Sequence, residues 1–146
     1  MRAVVQRCRS GRVLVAGDVV GEISSPGLVV LVGATEGDDC SRARLLAEKI
    51  WRLRILSDGE GKMNRSCSET GSPLLVVSQF TLYADTSRGR RPFFGDALAA
   101  AEAAVVIEEL VSSLRALGAE VETGVFGAEM LLELANDGPV TLILEV

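Results

Sequence analysis

Apolar runs of strand length, rich in valine, leucine and isoleucine, occupy both ends of this chain and enclose only two stretches of helical periodicity. A chain so ordered has to wrap a sheet around its own core and lay helices against it. The first third carries runs at Ala3–Val5, Val13–Val15, Val19–Ile23 and Leu28–Val32. Gly11, Gly17-Asp18 and Pro26-Gly27 separate them, which predicts a meander turning at those points. Gly17-Asp18 fits a two-residue hairpin loop, where glycine accepts positive φ. From Ser41 the spacing of Ala43, Leu46, Ala47, Ile50 and Leu53 predicts a helix to about Arg54, capped by Asp39 or Ser41.

Residues 57–72 are rich in Ser, Gly, Asn and charge and predict a loop carrying Lys62-Met63-Asn64. The apolar run Leu74–Leu82 predicts a strand covered on both faces. A second helix is expected over Asp96–Leu117, with a core stripe through Leu98, Ala101, Val105, Leu110 and Leu114 and a stop at Gly118. Strands at Glu120–Thr123, about Met130–Ala135 and Val140–Val146 follow, with Asn136-Asp137-Gly138 as the turn between the last two. The expected fold is α/β of the α+β type: a mainly antiparallel curved sheet or β-barrel-like core with two long helices packed outside.

At 146 residues the chain is expected to form one domain, residues 1–146, burying ~70% of the surface of its unfolded form. Hydrophobic content of 48% beside 24% charge describes a folded chain. No apolar stretch is long enough for a membrane helix, and the run after Met1 is too short for a secretory signal, so a cytoplasmic protein is expected. Cys8, Cys40 and Cys67 are widely spaced, with no CxxC pair and no histidine to complete a zinc site. They read as free thiols in a reducing compartment. A cysteine nucleophile would need a neighbouring base.

The net charge of −5 argues against non-specific coating of nucleic acid. Its distribution is uneven. Residues 1–95 hold 14 basic against 10 acidic side chains, whereas residues 96–146 hold Arg115 against 10 acids. The cluster Arg88, Arg90, Arg91 and the pair Lys62, Arg65 could meet the phosphates of one nucleic-acid end in a local, salt-sensitive contact; a solvated mixed surface is the plainer reading.

Any chemistry here has to work without imidazole, because the chain contains no histidine. Ser78-Gln79-Phe80-Thr81-Leu82 would bring hydroxyl, amide and backbone N–H groups to one sheet edge, where they can surround a carbonyl. The same alternation also describes an ordinary half-buried strand. Asn136-Asp137-Gly138-Pro139 reads first as a turn, and the isomer of its Gly-Pro bond is open, cis being found in ~5–6% of such bonds.

Together the two segments are specific. SQFTL at 78–82 followed by NDGPVT at 136–141 resembles the paired signatures of the D-aminoacyl-tRNA deacylase family. Lys62-Met63-Asn64, Arg90-Arg91-Pro92 and Phe126-Gly127-Ala128-Glu129-Met130 stand in matching order, and the resemblance runs nearly end to end. It implies a homodimer that hydrolyses the ester at the 3′ end of D-aminoacyl-tRNA, with no metal or organic cofactor and no membrane. Ser78, Gln79, Phe80 and Thr81 would form the catalytic cleft. Gly138 and Pro139 would form a cis-peptide filter reaching into the partner subunit's cleft, with Met130 and Phe126 nearby. Lys62, Arg88, Arg90 and Arg91 would be the tRNA contacts.

Such a filter would accept the substrate α-ammonium group on two carbonyls and exclude an L side chain, so selection is by rejection and glycine passes. For catalysis, Thr81 as nucleophile lacks an activating base; backbone N–H groups near Gln79–Thr81, aided by the ribose 2′-OH, are the preferred agents. Two alternatives differ in class. A trans Gly-Pro relative would accept small L-residues such as alanine, and a non-catalytic module would bind a single-stranded 3′ end. The chain departs from the family pattern at Phe93, where a small residue is usual, and in its alanine-rich segment Ala97–Ala104.

Overall fold

The computed structural model describes residues 1–87 and 89–146. In chain order its elements are β1 (Arg2–Val15), β2 (Asp18–Ile23), β3 (Gly27–Gly33), α1 (Cys40–Trp51), β4 (Leu56–Ser57), β5 (Met63–Arg65), α2 (Cys67–Thr70), β6 (Leu74–Ser78), a 3₁₀ turn (Phe80–Tyr83), α3 (Ala100–Ala116), β7 (Val121–Thr123) and β8 (Leu131–Glu145). The main sheet runs β2-β1-β3-β6-β7, with β8 on the other side of β1. β1 pairs antiparallel with β2, β3 and β8, whereas β3-β6 and β6-β7 are parallel. The parallel pairs exist because α1 and α3 serve as crossovers, and successive crossovers of one hand place both helices on one face. The sheet curls until its ends nearly meet. A Cβ added at Gly21 of β2 would fall 2.2 Å from the carbonyl oxygen of Thr123 in β7, so only glycine permits that approach. The result is a mixed α/β fold with a barrel-like sheet and few helices.

Strand alternation divides the interior in two. Ala3, Val5, Val30, Val32 and Val76 face α1 and α3, which add Leu46, Ile50, Leu110 and Leu114. Val13, Val29, Leu75 and Val77 point the other way, inside the curl. β3 and β6 are thus covered on both faces, as their unbroken apolar runs predict. Truncating any of the four buried helix side chains to alanine would remove about 2–5 kcal/mol.

Several boundaries differ from the sequence reading. Gly11 is no turn: β1 continues through it, and a Cβ there would come 3.0 Å from Val29 Cγ2. The hairpin loop is Ala16-Gly17, both at positive φ (52° and 94°), with Val15 already paired to Asp18. Helix α1 ends at Trp51, and its cap is Asp39, whose carboxylate accepts the N–H groups of Ser41 and Arg42. Those bonds hold the Asp39 pKa below its ordinary value, the Ser41 side-chain bond contributing most. The region 57–72 contains the short β4-β5 hairpin and α2, not an unbroken loop.

Strand β6 stops at Ser78, four residues before the expected end. Helix α3 starts at Ala100 because Ala97 is already bridged to Thr35 in extended form. Its buried stripe is Ala103, Val106, Leu110, Val111 and Leu114, so Ala101 and Val105 face outward, contrary to the predicted stripe. Asn136-Asp137-Gly138 is not a turn between two strands: β8 runs straight through it and accommodates it by bulging against β1.

Gly27, at the entry to β3, gives a direct test of this packing. A Cβ there would fall 2.2 Å from the carbonyl oxygen of Pro73, which already accepts the Leu28 N–H at 3.1 Å. Gly27→Ala is expected to destabilise the fold by roughly 1–3 kcal/mol, since backbone sets the clash. An unchanged denaturant midpoint would refute that close approach.

Candidate active site

The end of β6 shows how local geometry builds a site. Gln79 keeps its N–H on the sheet, donating to Val32 O at 2.7 Å, and then the chain leaves strand geometry for the 3₁₀ turn. The Gln79 carbonyl points back toward Gly33, where a Cβ would lie 2.8 Å from it. In a planar trans peptide the following N–H points the opposite way. Phe80 N–H is thereby turned from β3, and among the described residues neither it nor Thr81 N–H finds an acceptor. Such orphan donors are expected in the first turn of a helix. Arg2 braces the turn by donating from Nη1 to Leu82 O at 2.7 Å while its guanidinium lies over the Tyr83 ring.

Beside this turn opens a cavity of about 650 Å³. Ser78, Gln79 and Phe80 form one wall, Phe94 and the start of α3 a second, and Phe126 and Met130 a third. Phe80 and Phe94 meet edge to face at 5.3 Å between centroids, a favourable aromatic geometry. Met130 packs its sulfur over Gly124, where a Cβ would lie 2.5 Å from it. Thr81 does not line the cavity, but its hydroxyl is bonded to the Gln79 side-chain amide. None of the described lining residues is ionisable. The polar equipment is therefore a hydroxyl, an amide and backbone N–H groups, which can stabilise an oxyanion but cannot act as an ordinary general base.

The cysteines lie elsewhere and are free. Burial raises the pKa of Cys8 and pushes Cys67 up to about 12, so thiolate chemistry is disfavoured at both. No group of three or more potential metal ligands occurs among the described residues. Among them, no helix is long and apolar enough to cross a membrane.

The second segment sits apart. Gly138 and Pro139 are exposed on the β8 bulge, and the bond between them is cis. Three strand spacings and about four residues of register separate the bulge from Ser78, on the order of 20 Å along the sheet. One chain thus brings together Ser78, Gln79, Phe80, Phe126 and Met130, with Thr81 behind them, but not Gly138 and Pro139.

The bulge has an anchor that the sequence reading missed. Arg7 of β1 pairs with the Asp137 carboxylate at 2.9 Å and donates to the carbonyls of Asp137 (3.3 Å) and Ile55 (2.9 Å). Its side chain is only 12% exposed. The signal was a charge in phase with the inward-facing Ala3 and Val5, at the sixth position of the first strand. Arg9 adds a longer contact to Asp137 at 3.5 Å, and Thr141 Oγ1 donates to Gln6 Oε1 at 3.0 Å.

Of the basic candidates, Lys62 lies on the β4-β5 hairpin and is paired with Glu60, on the side of the bulge. Arg90 and Arg91 are exposed on the connection between the 3₁₀ turn and α3. Arg88 lies outside the described residues.

Comparison with known proteins agrees over the full length. The family model described as D-Tyr-tRNA(Tyr) deacylase matches residues 4–145. A D-aminoacyl-tRNA deacylase of Acidothermus cellulolyticus is 59% identical over 146 residues, covering 100% of this chain and 99% of the relative. One from Heliobacterium modesticaldum is 55% identical, covering 99% and 96%. A solved structure of a c-Myc DNA unwinding element binding protein superposes with a TM-score of 0.92 at 33% identity, over 100% of this chain and 99% of that one. A structure described as a probable eukaryotic D-amino acid tRNA deacylase shares the fold, with a TM-score of 0.86 at 18% identity over 99% and 98% of the two chains. With the match spanning both the cavity wall and the bulge, the chain belongs to the D-Tyr-tRNA(Tyr) deacylase family.

Proposed function

We propose that the protein hydrolyses the ester bond of D-aminoacyl-tRNA, releasing tRNA and the free D-amino acid, as a chiral proofreader working in the cytoplasm. The observation that carries this reading is a cavity with the unpartnered Phe80 N–H in its wall, Thr81 N–H just behind it, and no ionisable side chain among its described lining residues. An activated ester needs only oxyanion stabilisation and a positioned water, and each donor of that kind contributes about 3 kcal/mol. The ribose 2′-OH of the substrate assists in activating the water.

The active unit in this reading is a homodimer. Gly138 and Pro139 of one subunit enter the other's cavity, their carbonyls taking the α-ammonium group and their bulk rejecting an L side chain. Two features support it. The bulge is far from the cavity of its own chain, and among the described residues β8 pairs on one edge only while exposing Leu131 and Ile143. Such an edge invites coverage by another chain.

Two assays test the reading. D-tyrosyl-tRNA should be hydrolysed and L-tyrosyl-tRNA left at background, with mischarged glycyl-tRNA also cleaved because glycine offers nothing to reject; equal D and L rates would refute the filter. In single-turnover deacylation, Thr81→Ala should stay near the wild-type rate. The Thr81 hydroxyl meets an amide, which is no base in either orientation. A trapped acyl-enzyme on Thr81 would overturn this division of labour.

A further inference from the structure

We propose that Phe93 is a stacking platform for the nucleobase next to the esterified nucleotide, so that the enzyme grips the single-stranded 3′ end outside the cavity as well as within it. The inference rests on the aminoacyl-tRNA reading above. It starts from an aromatic ring that packing does not explain. Phe93 is 64% exposed, yet it is not loose. Its backbone exchanges two hydrogen bonds with Asp85, at 2.8 and 2.9 Å, which pins the segment as a bridge. Its ring lies over Gly95, where an added Cβ would fall 2.3 and 2.4 Å from two ring carbons. One side of the ring rests on a residue without a side chain, and the rest faces solvent.

Position gives the platform its ligand. Consecutive side chains of an extended segment point to opposite sides. Phe94 turns into the cavity wall against Phe80, while Phe93 turns outward at the rim. Arg90 and Arg91 stand three and two residues before it, both exposed, and among the described residues neither has a carboxylate partner. An aromatic face flanked by unneutralised guanidinium groups suits a base followed by its phosphate. A strand whose terminal residue occupies the cavity has to leave past this rim. The platform is also sequence-tolerant, since every base offers a π-face.

The test is a cycle between Phe93 and the base. D-tyrosyl-tRNA is prepared with its penultimate nucleotide intact or abasic, and kcat/KM is measured for the wild type and for Phe93→Ala. Each single change should lower kcat/KM by about tenfold, within the range of base-aromatic stacking, and the two together should lose little more. Phe93→Trp should retain the wild-type value. Gly95→Ala, which displaces the ring while keeping it, should reproduce the Phe93→Ala loss on intact tRNA and add none on the abasic one. Losses that multiply in the double change would overturn the proposal, as would a Phe93→Ala enzyme that loses nothing. A wild type that cleaves neither D-tyrosyl-tRNA would instead refute the hydrolase reading itself, and the platform with it.

Discussion

Gly33→Ala should leave a folded protein that deacylates D-tyrosyl-tRNA about a hundredfold more slowly, the scale associated with losing one oxyanion donor or misplacing reacting groups by an ångström. The methyl group would enter at 2.8 Å from the Gln79 carbonyl oxygen and 3.3 Å from the Tyr83 ring. Gln79 cannot simply retreat, because its N–H is bound to Val32 on the adjacent residue of β3. The peptide joining Gln79 to Phe80 has to rotate or shift, and with it the Phe80 N–H on its other side. Overpacking of this kind costs roughly 1–3 kcal/mol, which a chain with two filled cores can absorb. A circular-dichroism melt beside single-turnover kinetics separates the two effects. A rate within about threefold of wild type would show that this peptide is not the oxyanion donor, whose loss should cost at least ~10².

The same glycine shows why the site was only partly legible in the sequence. Periodicity names a strand over Leu74–Leu82, and the apolar run is real. Where the strand stops is decided by Gln79, whose departure from strand geometry puts Phe80 and Thr81 on a tight turn. No local pattern marks that point, since Phe, Thr, Leu and Tyr are all good strand residues. Asn136-Asp137-Gly138 failed in the opposite direction. These are strong turn formers, yet β1 pairs with residues on both sides of them and draws the chain straight, leaving a bulge in place of a turn. In α3 the apolar side chains surround the helix almost completely, so several stripes fit the spacing. Contact with α1 selects the one through Ala103 and Val106 and leaves Val105 outside. The first helix has a single apolar stripe, and there the expected positions from Ala43 to Ile50 are the buried ones.

Arg7→Ala is expected to lower D-aminoacyl-tRNA hydrolysis by more than about tenfold and to narrow the margin between D and L substrates, because positioned groups lose effectiveness steeply when their support loosens. Arg7 ties the carboxylate of Asp137, the Asp137 carbonyl and the Ile55 carbonyl into one knot, so the bulge is fastened to both β1 and the β4-β5 hairpin. Without it Asp137 keeps, among the described residues, only the ion pair with Arg9, at 3.5 Å and far more exposed. Asp137 is itself 32% exposed, so water screens the loss; the stability cost falls toward 1 kcal/mol and below the 3–5 kcal/mol of a fully buried pair. The effect should therefore appear in function before stability. Arg7→Lys separates charge from shape. Lysine restores a cation near Asp137 but cannot span a carboxylate and two carbonyls with a planar fork. If Arg7→Lys recovers the melting temperature while the D-to-L ratio stays low, the guanidinium acts by holding Gly138 and Pro139 in register. If Arg7→Ala leaves both rate and ratio intact, the bulge takes no part in selecting the substrate, and chirality has to be read inside the Ser78–Phe80 cavity alone.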